Sequence, residues 1–112
     1  MKSCMLYLND HALAPIRVAD SYFLRLRGLI GRNVEQLGGL WIRPCNQIHM
    51  FFMSSPIDAV YLDRSKAVVK VDANVPVGIV CPVVKGAKSV LELPAGSAAK
   101  MGILPGTALE IR

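Results

Sequence analysis

Apolar residues fall in short runs along this chain, each closed by Asn, Asp, Gly, Pro or Ser. That rhythm predicts strands joined by turns. Cys4–Leu8 and Ala12–Val18, parted by Asn9, Asp10 and His11, form a hairpin pattern. From Asp20 the period changes. Tyr22, Phe23, Leu26, Leu29 and Ile30 recur at three and four, Asp20 or Ser21 can cap a helix, and Gly31 can end it in the left-handed conformation. Gly28 inside that helix costs up to ~1 kcal/mol relative to Ala, so either the helix is ending there or another backbone approaches closely.

After the linker Asn33–Gly39, the segments Leu40–Arg43, Gln47–Met53, Ile57–Asp63 and Ala67–Asp72 have strand length. Their short, regular spacing favours an antiparallel sheet, with Asp63–Lys66 as a hairpin loop. Ala73–Lys88 holds Pro76, Gly78, Pro82 and Gly86 among valines and reads as a long irregular connection or edge strand, the element suited to cover a ligand. Ser89–Leu93 is a strand, Pro94–Gly96 a turn, and Ser97–Met101 a single helical turn stopped by Gly102. Pro105 and Gly106 then form a turn before a last strand, Thr107–Ile111. The predicted fold class is α+β and mainly β: one domain, residues 1–112, with a small antiparallel barrel-like sheet and one or two short helices.

Composition narrows the picture. A chain of 112 residues suits one domain and one core. Its 53% apolar content and mean hydropathy of +0.40 exclude general disorder. Thirteen Lys and Arg against eight Asp and Glu give +5, but the basic residues are dispersed, with Arg25, Arg27 and Arg32 the one close grouping. A nucleic-acid surface would add a basic run or exposed aromatics, whereas the few aromatics here sit inside apolar segments, which argues against one. Cys4, Cys45 and Cys81 make an odd count without paired spacing, which argues against a disulfide framework and for a reducing compartment. The apolar start, Met1–Leu8, is too short for a signal h-region, and no run approaches the ~18 apolar residues of a membrane span. The expectation is a cytoplasmic protein.

Several blocks together carry a family resemblance. Arg25-Leu-Arg-Gly-Leu-Ile-Gly-Arg32, Gly39-Leu-Trp-Ile42, the block from Ile48 through Asp58 to Asp63, Val90-Leu-Glu-Leu-Pro-Ala-Gly96 and Gly102-Ile-Leu-Pro-Gly106 resemble the DUF192 (UPF0127) family, in that family's order and over nearly the whole chain. The resemblance implies a small β-rich fold with short helices and no established biochemical activity. The chain departs from many relatives at Phe52 and Ser54-Ser55, where a Trp or a Lys-Asn pair is common. It departs again at Thr107, where many carry an acidic residue.

Candidate chemistry centres on the segment after Pro44. On a strand, Cys45, His49 and Met53 share one face, but successive members lie ~13 Å apart, too far for one ion. If Pro44 and Cys45 instead lie in a turn, Cys45 and His49 can converge with Cys81 or Met53 as thiolate, imidazole and thioether ligands for Cu(I) or Zn. A thiol-dependent enzyme would use Cys45 as nucleophile, His49 as its base and Asp58 to orient the imidazole. Asp58 and Glu92 sit within apolar strands, where pairing with Arg25, Arg27 or Arg43 would relieve the cost of burial. Arg27 and Arg32 can hold an anion, and Trp41 reads as a core anchor. No cofactor is specified. The favoured reading is a binding or interaction module for an unknown small ligand or protein partner. Its site would lie around Arg27, His49, Met53 and Asp58, beneath Ala73–Lys88.

Overall fold

A computed structural model describes residues 1–21, 24–25 and 34–112. Asn9 and Asp10 take positive φ of 50° and 65°, as the tight two-residue turn between right-twisted strands requires. They join β1 (Lys2–Leu8) to β2 (His11–Ala19) in an antiparallel pair running from Lys2 opposite Val18 to Leu8 opposite His11. Ser21 makes the hydrogen bonds of a helix start. Its Oγ accepts a hydrogen bond from the Leu24 N–H at 3.1 Å, and its carbonyl accepts one from the Arg25 N–H at 2.9 Å. Most of that predicted helix, with Arg27, Gly28, Gly31 and Arg32, lies outside the described residues.

The predicted linker Asn33–Gly39 contains a helical turn, α1 (Val34–Leu37). Gly38 follows it at φ 82°, where a Cβ would run into the Pro15 carbonyl; only glycine fits both constraints. Then come β3 (Leu40–Ile42), β4 (Ile57–Leu62), β5 (Val68–Val75), β6 (Ser89–Pro94), α2 (Ser97–Met101) and β7 (Glu110–Ile111). The sheet has seven strands in the order β5-β4-β6-β3-β2-β1-β7. The fold is therefore mainly β, with short helices.

Three expectations change. The sheet is not wholly antiparallel, because β3 pairs parallel to β2, from Arg17 opposite Leu40 to Ala19 opposite Ile42. Gln47–Met53 is not a strand; it forms an irregular ribbon with residues 78–84, joined at the single bridge His49–Val80. The final strand shrinks to two residues, with one bridge, Ala67–Ala108, ahead of it.

That bridge curls the sheet towards closure. Around it the Val68 N–H donates to the Thr107 carbonyl at 2.8 Å, the Gly106 N–H to Val68 at 2.8 Å and the Leu109 N–H to Lys66 at 3.0 Å. Edge strand β5 is thereby tied to the segment that leads into the other edge, β7.

Strand alternation sorts the side chains of β3, β4 and β6 into two cores. Trp41, Val60, Leu62, Leu91 and Leu93 point into the barrel with Leu6, Ile16 and Val18. Leu40, Ile42, Ile57, Ala59, Tyr61 and Val90 point outward, under Val34, Ile48, Met50, Cys81 and Val84. The central strands are therefore buried on both sides, and they present two very different surroundings to any polar side chain they carry.

Candidate functional site

β2, β3 and β4 end, and β5 and β6 begin, at one end of the barrel, as their pairing directions require. There Asp20, Trp41, Arg43, Asp63, Arg64, Lys66 and Lys88 line an open cleft of 470 Å³. Barrel mouths are common ligand sites because the strand ends fix the backbone while the connecting loops supply the chemistry.

Each cation of this mouth is carried on a fastened backbone. The Arg43 N–H extends the β2–β3 pairing by donating to the Ala19 carbonyl at 3.1 Å. Arg64 and Lys66 belong to a turn wound around Asp63, whose Oδ1 accepts from the N–H groups of Ser65 at 2.9 Å and Ala67 at 3.0 Å and from the Ser65 hydroxyl at 2.9 Å. The Ala67 amide, followed by the Ser65 hydroxyl, holds the Asp63 carboxyl below its ordinary pKa. Lys88 is pinned through its N–H to the Leu62 carbonyl at 2.7 Å and through its own carbonyl to the Cys45 N–H at 3.0 Å.

Trp41 forms the floor and is 6% exposed. The Arg43 guanidinium lies 4.6 Å from its ring centroid and the Lys66 ammonium 6.0 Å, both within cation–π range. Its indole Nε1 is buried and has no acceptor among the described residues. Among those residues, none of Arg43, Arg64, Lys66 and Lys88 forms an ion pair. The mouth thus carries four cations against two carboxylates, one of which, Asp63, is engaged by its own turn.

Of the residues picked out from sequence, Cys45, Met53 and Cys81 meet at the outer core, while His49 and Asp58 lie apart from them. His49 is exposed; its Nδ1 accepts from the Phe51 N–H at 3.3 Å, and its ring lies 5.4 Å from that of Phe51. Met53 and Cys45 are partly buried against the outer core, which contains Cys81. The Cys45 thiol donates to the Gln47 carbonyl at 3.1 Å, and Gln47 Nε2 donates to the Cys81 carbonyl at 2.9 Å. Burial pushes both thiols above their ordinary pKa, offset at Cys45 in part by the bond to Gln47. Among the described residues, no three His, Cys, Asp or Glu side chains gather as a metal ion would need.

Asp58 points to the other face of the sheet, 1% exposed. Its Oδ1 accepts from the Asn74 N–H at 2.9 Å and its Oδ2 from the Ala98 N–H, in the first turn of α2, at 2.9 Å. It holds two backbone amides where an Arg partner was expected. Glu92 faces the outer core, 3% exposed, and no described residue offers it a hydrogen bond or ion pair. Burial pushes its carboxyl up to about 8. Arg27, the remaining candidate, lies outside the described residues.

A small curled β-sheet domain with a basic mouth is the class of protein these features define. The chain belongs to the DUF192 family, described as an uncharacterized ACR, which it matches over residues 7–111. It is 35% identical over 86 residues to a UPF0127 protein of Thermococcus sibiricus; the match takes in 72% of this chain and 55% of that protein, so the chain spans about half the relative's length. Two crystal structures share the fold. A protein of unknown function from Novosphingobium aromaticivorans aligns with a TM-score of 0.79 at 21% identity, over 96% of this chain and 83% of its own. A Sinorhizobium meliloti protein, proposed as a transcription regulator, aligns with a TM-score of 0.73 at 20% identity, over 97% and 92%. No helix among the described residues is long and apolar enough to cross a membrane.

Proposed function

We propose that the protein is a binding module that takes a small anionic ligand in the barrel mouth. The observation carrying this reading is the convergence of Arg43, Arg64, Lys66 and Lys88, without ion pairs among the described residues, around the Trp41 ring. A phosphate or carboxylate group would supply the missing counter-charge. Burial raises the pKa of the Cys45 and Cys81 thiols, which favours binding over thiol chemistry at those two positions.

Trp41 is the chain's single tryptophan, so its fluorescence reports this site alone. Titration with inorganic phosphate and pyrophosphate at low ionic strength gives a saturable change in Trp41 emission. Arg64→Ala and Lys88→Ala each weaken it about tenfold. An emission spectrum that stays flat with both anions, or responds equally in both variants, removes the reading.

A further inference from the structure

β5 ends the sheet, and past Val68 no described residue bonds its outer edge. The pairing pattern shows which groups that edge presents. Leu62 gives its carbonyl to the Lys88 N–H on the β6 side, while the Asp63 N–H takes the Ala67 carbonyl on the β5 side. Alternation then turns the backbone of Tyr61 and Ala59 toward β5 and that of Val60 toward β6. Lys70 and Asp72, opposite Tyr61 and Ala59, therefore direct their N–H and carbonyl groups inward, and Val71, opposite Val60, presents both of its own to the free side. Val68 is turned outward in the same way, and Thr107 and Gly106 take up its groups. Val71 has no such partner among the described residues. Beside it lies an open cleft of 410 Å³, lined in part by Lys70, Asp72, Ile79, Cys81 and Pro82.

The side chains on this edge complement one another about Val71. From Val69 to Ala73 they read apolar, cation, apolar, anion, apolar. Lys70 and Asp72 share one face of the strand; their side chains are 46% and 26% exposed and meet at 3.3 Å. A two-fold axis through Val71 sets Lys70 opposite the second copy's Asp72, Val69 opposite its Ala73, and the two Val71 residues opposite each other. Each charge then has an opposite charge both along its own strand and across the seam.

We infer that two copies of this chain join antiparallel along β5, with Val71 on the two-fold axis. Each Val71 N–H donates to the other's carbonyl, and the seam is isologous, as a closed dimer requires. Charge selects both the occupant and its register. A parallel copy in the same register would set Lys70 against Lys70 and Asp72 against Asp72, and like charges directly opposite are destabilising. The register shifts between Tyr61 and Leu62 and between Ile57 and Ala59 bound the regular part of the edge. They keep the seam short, so the dimer forms reversibly with concentration and does not grow into an open stack. The inference is independent of the ligand assigned to the mouth.

Sedimentation velocity over a wide range of protein concentration tests it. Wild-type protein passes from monomer to dimer as concentration rises. Lys70→Asp and Asp72→Lys, which oppose like charges at the seam, each weaken dimerisation at least tenfold. Both variants stay folded, because a surface pair of this kind contributes little to stability. An equimolar mixture of the two restores the dimer, since every charge again faces its opposite. A wild-type protein that stays monomeric throughout overturns the inference and leaves the edge to an extended segment of some other protein. A dimer that both variants leave intact overturns it in favour of another surface, and variants that do not recombine overturn the proposed register.

Discussion

Asp58 and Glu92 are two carboxylates on neighbouring strands, both nearly out of reach of water, and the sheet treats them in opposite ways. Asp58 lies on the barrel face, where Asn74 of β5 and the start of α2 each offer it a backbone N–H at 2.9 Å. Glu92, on the outer face, finds apolar neighbours and no donor among the described residues, and its carboxyl titrates at about 8. Burial alone does not decide what a carboxylate costs; the amides aimed at it do. One acid therefore ties β5 and α2 to the barrel, and the other is a proton held under the outer core.

Removing Asp58 has the largest effect. Asp58→Ala leaves two buried amides without acceptors and lowers stability by about 4 kcal/mol in urea denaturation. Glu92 acts next, and with a pH signature. An unfolded Glu loses its proton near pH ~4.3, whereas folded Glu92 keeps it up to about 8. The stability this group contributes is thus complete below the unfolded value and is lost as pH rises through that window. Glu92→Gln removes the slope, and urea midpoints show it gaining about 3 kcal/mol on wild type between pH 5 and pH 8. A wild-type curve parallel to that of Glu92→Gln would break the contrast between the two acids. Asp58→Asn is the mildest change. One amide keeps an oxygen acceptor and the other loses it, for a loss of about 1.5 kcal/mol on the same urea curves.

Elements with local chemistry were readable from the sequence. Asn9-Asp10 imposes its own turn, Ser21 caps the chain at Leu24, and Gly102 at φ 71° closes α2 where the sequence predicts. Gln47–Met53 misled because its apolar residues serve two masters: Ile48 and Met50 fill the core while Phe51 and Phe52 face solvent. Periodicity records only that they are apolar. The mouth escaped notice for a different reason. Arg43, Arg64, Lys66 and Lys88 are scattered along the chain and meet only because three strands finish and two begin at the same place. A signal was present, since each cation sits in a turn or beside a predicted strand end. Asp58 and Glu92 were recognisable as costly, but backbone amides, which no sequence pattern displays, took the place of an Arg partner at Asp58.

The pairing of β7 with β1 has a consequence for how the molecule is assembled. Met5 and Arg112 exchange backbone hydrogen bonds at 2.8 Å and 3.0 Å, so the earliest and latest strands of the sheet share a seam. Loops that large close late and at an entropic cost. Until they do, β1 on one side and the start of β5 on the other present unpaired strand edges to every other nascent chain nearby. Pairing of β7 with β1, and of residues 106–109 with the start of β5, ends that exposure.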